Sequence, residues 1–390
     1  MTSKTEKAIF ANQLRAIAII CVVLVHWLGV YWLARETVAQ YIYAPLETES
    51  IPNILDAISF RTLNYGPLGV SIFFLVSGFV IPFSITKLTR AEFILGRIFR
   101  IYPTYVAATA VSICCAWLSS IYWNSEFSLD LETTLYNLAL IHSNTYKSTI
   151  DLVNWSLAIE IKFYIVSAVL YRSIREGSID HLALLAIAVI AFCQWIPPNL
   201  SPIRIGEQNL SLESIKTELM VIIFMFIGTC FYHHYTGSVS MGRLIIYVGT
   251  LFGSVLICWP HTEWAGGIPY VPMNYAYGLL VFMAFYALRN KIGPFKPLDF
   301  IASISYPLYI IHSICGYALI RVLTDLGAKG WQAIIVALPI VIAAAYLLHK
   351  TIETYTMHTG KRIANKFSGK LLKVKSLSSN EKSSTAKATD

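Results

Sequence analysis

Charge is scarce in this sequence. Aspartate, glutamate, lysine and arginine together make up 13% of its 390 residues, against 56% for the hydrophobic types. The mean hydropathy is +0.59. A water-soluble chain carries roughly a quarter of its residues as charges, so a soluble globular enzyme is excluded. Paired cysteines are also lacking. The seven cysteines (Cys21, Cys114, Cys115, Cys193, Cys230, Cys258 and Cys315) lie in apolar runs without a C-x-x-C pair. That spacing indicates neither a metal site nor a disulfide framework, and they read as small packing residues. No small-x-small cleavage site follows the first apolar run, so it is not a removable signal. No lipidation motif, internal repeat or second soluble domain stands out. Basic residues outnumber acidic ones, 30 to 22, yet they do not gather into a docking face, so no nucleic-acid partner is expected.

Long apolar runs are what the sequence does have. Stretches of about 18 or more recur throughout, which predicts a polytopic, all-α membrane protein surrounded by lipid. Ten spans are expected, at roughly 11–32, 66–86, 101–119, 152–171, 180–196, 217–235, 243–259, 270–288, 300–320 and 331–349. Placing both termini in the cytoplasm puts 22 of the 30 lysines and arginines inside, as the positive-inside rule requires. The two long outer loops, about 33–65 and 120–151, are too polar to span and are placed to cover an external cavity. Residues 1–350 thus form the membrane domain, and 351–390 are expected to be a basic, disordered cytoplasmic tail.

Five stretches combine polar chemistry with these spans. In the first, Arg15 and His26 are eleven residues apart, which places them within roughly 20° on one helical face and about 16 Å apart along it. Ionisable groups inside a membrane are costly and mark function by default, although an arginine at a span's end also suits snorkelling. The second, Phe73-Phe74-Leu75-Val76-Ser77-Gly78, brings small residues into a span, where they permit close helix approach. Third, Arg97 and Arg100 share a face at the inner interface, fit either to anchor the helix or to grip phosphate. Fourth, Trp155-Ser156-Leu157-Ala158-Ile159-Glu160-Ile161-Lys162-Phe163-Tyr164 carries Glu160 about 12 Å below the outer end of its span. That is the depth read for His26, so Glu160 is expected to orient the imidazole. Pairing of Glu160 with Lys162 is the weaker alternative, because a spacing of two points them apart. Fifth, Tyr306, Tyr309 and His312 recur every three residues along one side of the ninth span, a pattern shared with aromatic packing stripes.

In this order the five stretches resemble the membrane acyltransferase family 3: R-x10-H at Arg15 and His26, F-F-x-x-S-G from Phe73 to Gly78, R-x-x-R at Arg97 and Arg100, W-S-L-x-x-E-x-x-F-Y from Trp155 to Tyr164, and S-Y-x-x-Y-x-x-H from Ser305 to His312. The resemblance covers about residues 10–350. It implies an O-acyltransferase of the bacterial inner membrane, moving an acyl group from cytoplasmic acyl-coenzyme A to a hydroxyl of a surface glycan or its lipid-linked precursor. Acetyl is the donor group implied, with succinyl and longer acyls open. Acyl-coenzyme A is then a substrate, and no permanently bound cofactor or metal is expected. Arg15, Arg97 and Arg100 would hold the donor phosphates, and His26 would act as general base with Glu160. Direct transfer and an acyl-enzyme both fit. Two positions depart from the family's habit: Ser71 stands where Asp is frequent, and Ile161-Lys162 follows Glu160 where Glu-Gln is frequent. A ten-span transporter of a glycan precursor or small anion is the alternative, since intramembrane Arg, His and Glu also build ion paths.

Overall fold

The long helices begin where the sequence supplies an oxygen for the first free amides. Asn64 accepts from the Gly66 amide at the start of Tyr65–Lys87. Thr89 and Glu92 form a reciprocal capping box at the start of Arg90–Trp123. Ser211 and Ser240 cap Leu212–Tyr235 and Met241–Cys258. The computed structural model describes residues 8–50, 62–197, 200, 202–205, 208–266 and 270–366. Its helices are α1 (Ile9–Leu33), α2 (Arg35–Ile42), α3 (Tyr65–Lys87), α4 (Arg90–Trp123), α5 (Leu131–Leu138), α6 (Asn154–Val169) and α7 (Tyr171–Glu176). After α8 (Asp180–Trp195) comes a two-stranded antiparallel ribbon, β1 (Ile203–Ile205) with β2 (Gln208–Leu210). Then follow α9 (Leu212–Tyr235), α10 (Met241–Cys258), α11 (Val271–Ala287), α12 (Lys296–Ile311), α13 (Ile314–Asp325) and α14 (Gly330–Lys366).

All ten expected spans are helical, but they are not equally long. Six helices (α1, α3, α4, α9, α14, and α10 with its extension to His261) are long and apolar enough to cross a membrane. Taken as one bent span, α12 and α13 make a seventh. The other three, α6, α8 and α11, have 16, 16 and 17 residues. At 1.5 Å per residue they reach about 24–26 Å, short of a hydrocarbon core of about 30 Å. Part of the tail expected to be disordered is helical. Residues 351–366 continue α14, with Gly360 packed on the Phe99 ring, and 367–390 lie outside the described residues.

The centre of the bundle is α3, which packs on α1, α9 and α11. Its contact with α9 is a backbone contact. A Cβ added at Gly78 would lie 1.8 Å from the Met225 carbonyl oxygen, and one at Gly228 would lie 2.2 Å from that of Leu75. Thr229 Oγ1 donates to the Gly78 carbonyl across the same interface (3.0 Å). Small residues therefore set the helix separation here.

Two irregularities shape the interior. Val25–Val30, which contains His26, is a π-helical turn within α1; such turns recur at functional sites. The chain also bends by 75° between α12 and α13, at His312-Ser313. The Trp27 indole fills this bend: its Nε1–H donates to the His312 carbonyl (2.8 Å), and its ring lies against Gly316, where a side chain would clash at 2.5 Å.

The loop after α2 is pinned by Glu47. Burial alone would raise its pKa. Hydrogen bonds from Thr324, the Glu49 amide and Tyr31, with the charge of Arg321, outweigh burial and hold it below the ordinary carboxylate value. Lys162 donates to Glu218 and Asn144 rather than to Glu160. Ser71 is fully buried, donating to the Leu68 carbonyl (2.7 Å) and filling the space beside Gly278. Ser71 thus serves helix packing, and Lys162 serves a polar link to Glu218 of α9 and to Asn144.

Candidate active site

All five stretches contribute to one cavity, although His26 and His312 do not line it. It encloses about 90 Å³ and is lined by Arg15 from α1, Phe73, Phe74 and Ser77 from α3, Arg97 and Arg100 from α4, Ser156, Glu160 and Tyr164 from α6, and Tyr306 and Tyr309 from α12. Arg15 is the seventh residue of α1, and Arg97 and Arg100 are the eighth and eleventh of α4, so the cavity lies toward one end of the bundle. Arg97 stacks over the rings of Phe93 and Tyr164 (5.6 and 5.7 Å). Its Nη2 donates to Ser84 Oγ (2.8 Å), and its buried Nε–H has no partner among the described residues. Arg100 is within electrostatic range of Arg15 and Arg97 and makes no hydrogen bond to another described residue. Three guanidiniums thus line the cavity with one carboxylate, Glu160, while Glu353 acts on Arg15 from outside the lining, an arrangement suited to a polyanion.

Glu160 belongs to this cavity. It accepts from Ser77 Oγ (3.0 Å) and from the Tyr164 hydroxyl, and it lies in the field of Arg15 and Arg97. The expected pairing with His26 is not formed. The depth estimate assumed that α6 starts at the outer surface, but the turn preceding it is itself buried. Asp151, Val153 and Asn154 are 3%, 2% and 1% exposed, so α6 begins inside the molecule and Glu160 reaches the level of the arginines.

His26 meets different partners. Its Nδ1 is 2.5 Å from the Tyr317 hydroxyl, and its ring stands edge-on to His312 with centroids 4.8 Å apart. His312 Nδ1 lies within reach of the Leu308 and Tyr309 carbonyls (3.2 and 2.8 Å). Only an N–H satisfies them, which assigns that tautomer and leaves a lone pair on Nε2. That Nε2 is buried without a partner among the described residues. Behind the pair sits Asp151. Ser313 Oγ donates to its Oδ1 (2.5 Å), while its Oδ2 is buried and unpartnered. Burial pushes the Asp151 pKa up to about 7, against the lowering effect of its hydrogen bonds to Ser313 and the Val153 amide.

Tyr309 joins the two regions. Its ring packs edge-on against Phe73 in the arginine cavity (5.6 Å) and lies 5.9 Å from the His312 ring. Ser156 Oγ is 2.5 Å from the Tyr309 hydroxyl and donates to the Val153 carbonyl (3.0 Å), so Tyr309 is the donor of that pair. Trp155 packs against Phe74 and Trp264 (6.3 and 5.0 Å), and Tyr306 donates to the Ile101 carbonyl (3.0 Å). Gly78 faces α9 and serves packing. Sequence reasoning missed Tyr317 and Asp151. The spacing of three that marked Tyr306, Tyr309 and His312 ends at the bend, so Tyr317 falls outside any helical stripe. Asp151 stands in a loop, where an aspartate reads as solvent-facing.

None of the curated proteins and none of the solved structures compared with this chain matches it significantly. The model of a protein family described as an acyltransferase domain matches residues 9–350. That match covers the arginine cavity and the histidine pair alike, and the chain belongs to the membrane acyltransferase family 3.

Proposed function

We propose that this membrane acyltransferase takes its acyl group from acyl-coenzyme A on the cytoplasmic side and transfers it to a hydroxyl of a cell-surface glycan or its lipid-linked precursor. The cavity of three arginines and one glutamate is the observation that carries the reading. A nucleotide with several phosphates matches that charge, and the forked guanidiniums of Arg15, Arg97 and Arg100 match its oxygens. The reading keeps both termini in the cytoplasm, ten crossings and the bacterial inner membrane. Acetyl is the acyl group proposed.

The arginine cavity and His26 are separated by about 16 Å along α1. The pantetheine arm of the donor would extend past Phe73 and Tyr309 to bring its thioester to the histidines. There His26 Nδ1–H donates to the Tyr317 oxygen, leaving the Nε2 lone pair to accept the proton of the sugar hydroxyl. Tyr317 thus takes the orienting place that the spacing had given to Glu160. As that O–H bond breaks, the sugar oxygen attacks the thioester carbonyl carbon. The C–S bond then breaks, and the proton on Nε2 passes to the departing thiolate to give free coenzyme A and the O-acyl sugar. Glu160 holds Tyr164 and Ser77 in the donor cavity and limits the repulsion among the arginines.

The test uses the full-length protein in lipid nanodiscs with labelled acetyl-coenzyme A and surface glycan extracted from the producing cells. His26→Ala should bind coenzyme A as the wild type does and transfer no label. Arg97→Ala and Arg100→Ala should weaken coenzyme A binding while the acceptor KM stays within about twofold. Near-wild-type transfer by His26→Ala, or equal loss for both substrates in the arginine variants, would overturn the reading.

A further inference from the structure

A second cavity lies at the other end of the helices that carry the arginines. It encloses about 470 Å³ between α2 and the loops on either side of α5, the polar segments expected to cover an external cavity. In α4 the chain runs from Arg97 and Arg100 in the first cavity to Ile113 and Ala116 in the second. Sixteen residues separate Arg100 from Ala116, about 24 Å of helix. In α1 it runs from Arg15 past His26, and then through α2 to Thr37, Gln40 and Tyr41 at the second cavity. His26 therefore stands between the two cavities.

The second cavity has a different chemistry. No lysine, arginine or histidine lines it, and its carboxylate, Asp130, accepts from the Thr133 amide at the start of α5. The side chains of Thr37, Gln40, Tyr41, Ser128 and Ser148 face it without hydrogen bonds to other described residues. The rim is fixed: Tyr43 donates to the Ser128 carbonyl (2.5 Å), Ser125 donates to the Tyr43 carbonyl (2.5 Å), and the rings of Tyr43 and Phe127 lie 4.9 Å apart. Ile314 lines the cavity beside the bend that bears His312 and Ser313. Tyr41 and Tyr317 are within electrostatic range of Asp151 and of each other.

We infer that this cavity holds the acceptor as a neutral sugar, lying over the His26–Tyr317 pair. Aromatic rings offer faces to the C–H side of a pyranose, and unpartnered hydroxyls and an amide offer both donors and acceptors to its hydroxyls. Phosphate or carboxylate has no cation to meet here, so any charged part of a lipid-linked acceptor remains outside. Its volume of about 470 Å³ lies within the ~300–1,000 Å³ typical of small-ligand pockets and suits one or two sugar units of the acceptor. The inference rests on the acyl-transfer reading above, and its test separates the two.

Thr37→Trp, on the exposed face of α2, fills the cavity without touching the arginines or histidines. In nanodiscs, the wild type should retain neutral oligosaccharide released from the producing cells' surface glycan, with no donor added. Thr37→Trp should bind it at least tenfold more weakly, with an unchanged coenzyme A Kd and melting temperature. Gln40→Ala should raise the acceptor KM about three- to tenfold at constant donor KM. Wild-type oligosaccharide binding and acceptor KM in Thr37→Trp would overturn the cavity assignment and leave acyl transfer standing. Retention of oligosaccharide by the wild type without any transfer of label would support the cavity and overturn the acyl-transfer reading.

Discussion

Replacing Gly78 with alanine tests whether a backbone contact sets the geometry of the arginine cavity. The new methyl would lie 1.8 Å from the Met225 carbonyl oxygen and 2.8 Å from its carbon. Real Cβ contacts are not found below 3.0 Å, so α3 and α9 must separate by more than about 1 Å. Overpacking of this kind costs about 1–3 kcal/mol. Loss of the Thr229 hydrogen bond to the Gly78 carbonyl adds about 1 kcal/mol, for a total of about 2–4 kcal/mol. The adjacent Ser77, which donates to Glu160, moves with the helix, so activity should fall along with stability. Thermal unfolding in detergent, followed by size-exclusion recovery, provides the measurement. Gly249→Ala in α10 is the control. It sits in a helix interior with nothing within 4 Å of its added Cβ, so it should be neutral or more stable by up to about 1 kcal/mol. If Gly78→Ala melts with the wild type, the close approach of α3 and α9 is wrong.

Tyr317→Phe removes the partner of His26 Nδ1, and kcat should fall about 10–100-fold while coenzyme A binding is unchanged; steady-state kinetics against both substrates read this. Asp151→Asn concerns a carboxyl whose folded pKa, about 7, lies above its unfolded value of 3.8. The folded state therefore holds its proton more tightly, and stability from this group is lost as pH rises from about 4 to 7. The variant should be more stable than wild type above pH 7, by at most about 4 kcal/mol, and the difference should shrink by pH 4.5; melting curves at both pH values decide it. Lys162→Ala leaves Glu218 buried without its cation and should cost about 3–5 kcal/mol, whereas Lys162→Met with Glu218→Leu should recover most of that loss, as measured by thermal unfolding of the single and double variants.

How much the sequence disclosed depended on whether a residue's environment is local. Helix positions followed from runs of apolar residues, and the placing of Arg97 and Arg100 in one cavity followed from a face set by their own spacing. Glu160 was misplaced because its depth was counted from an assumed surface, while burial of Asp151 and Val153 lowers the start of α6 into the molecule. Tyr317 stayed hidden because the 75° bend resets helical phase between His312 and Ile314. The extension of α14 through 351–366 lay beneath a basic composition typical of disorder. Its helix is fixed instead by long-range packing, such as Gly360 against Phe99, which no local window contains.

The excess of positive charge around Arg15, Arg97 and Arg100 also bears on how long the protein lasts. Mutual repulsion of guanidiniums raises the free energy of the folded chain, and a bound polyanion relieves it. A ligand that binds the folded chain alone stabilises it by about 2.7 kcal/mol at a hundredfold excess over its Kd. The supply of that polyanion would then govern abundance as well as occupancy. When that polyanion is scarce, a larger fraction of the chain unfolds, so its lifetime in the membrane shortens along with its occupancy.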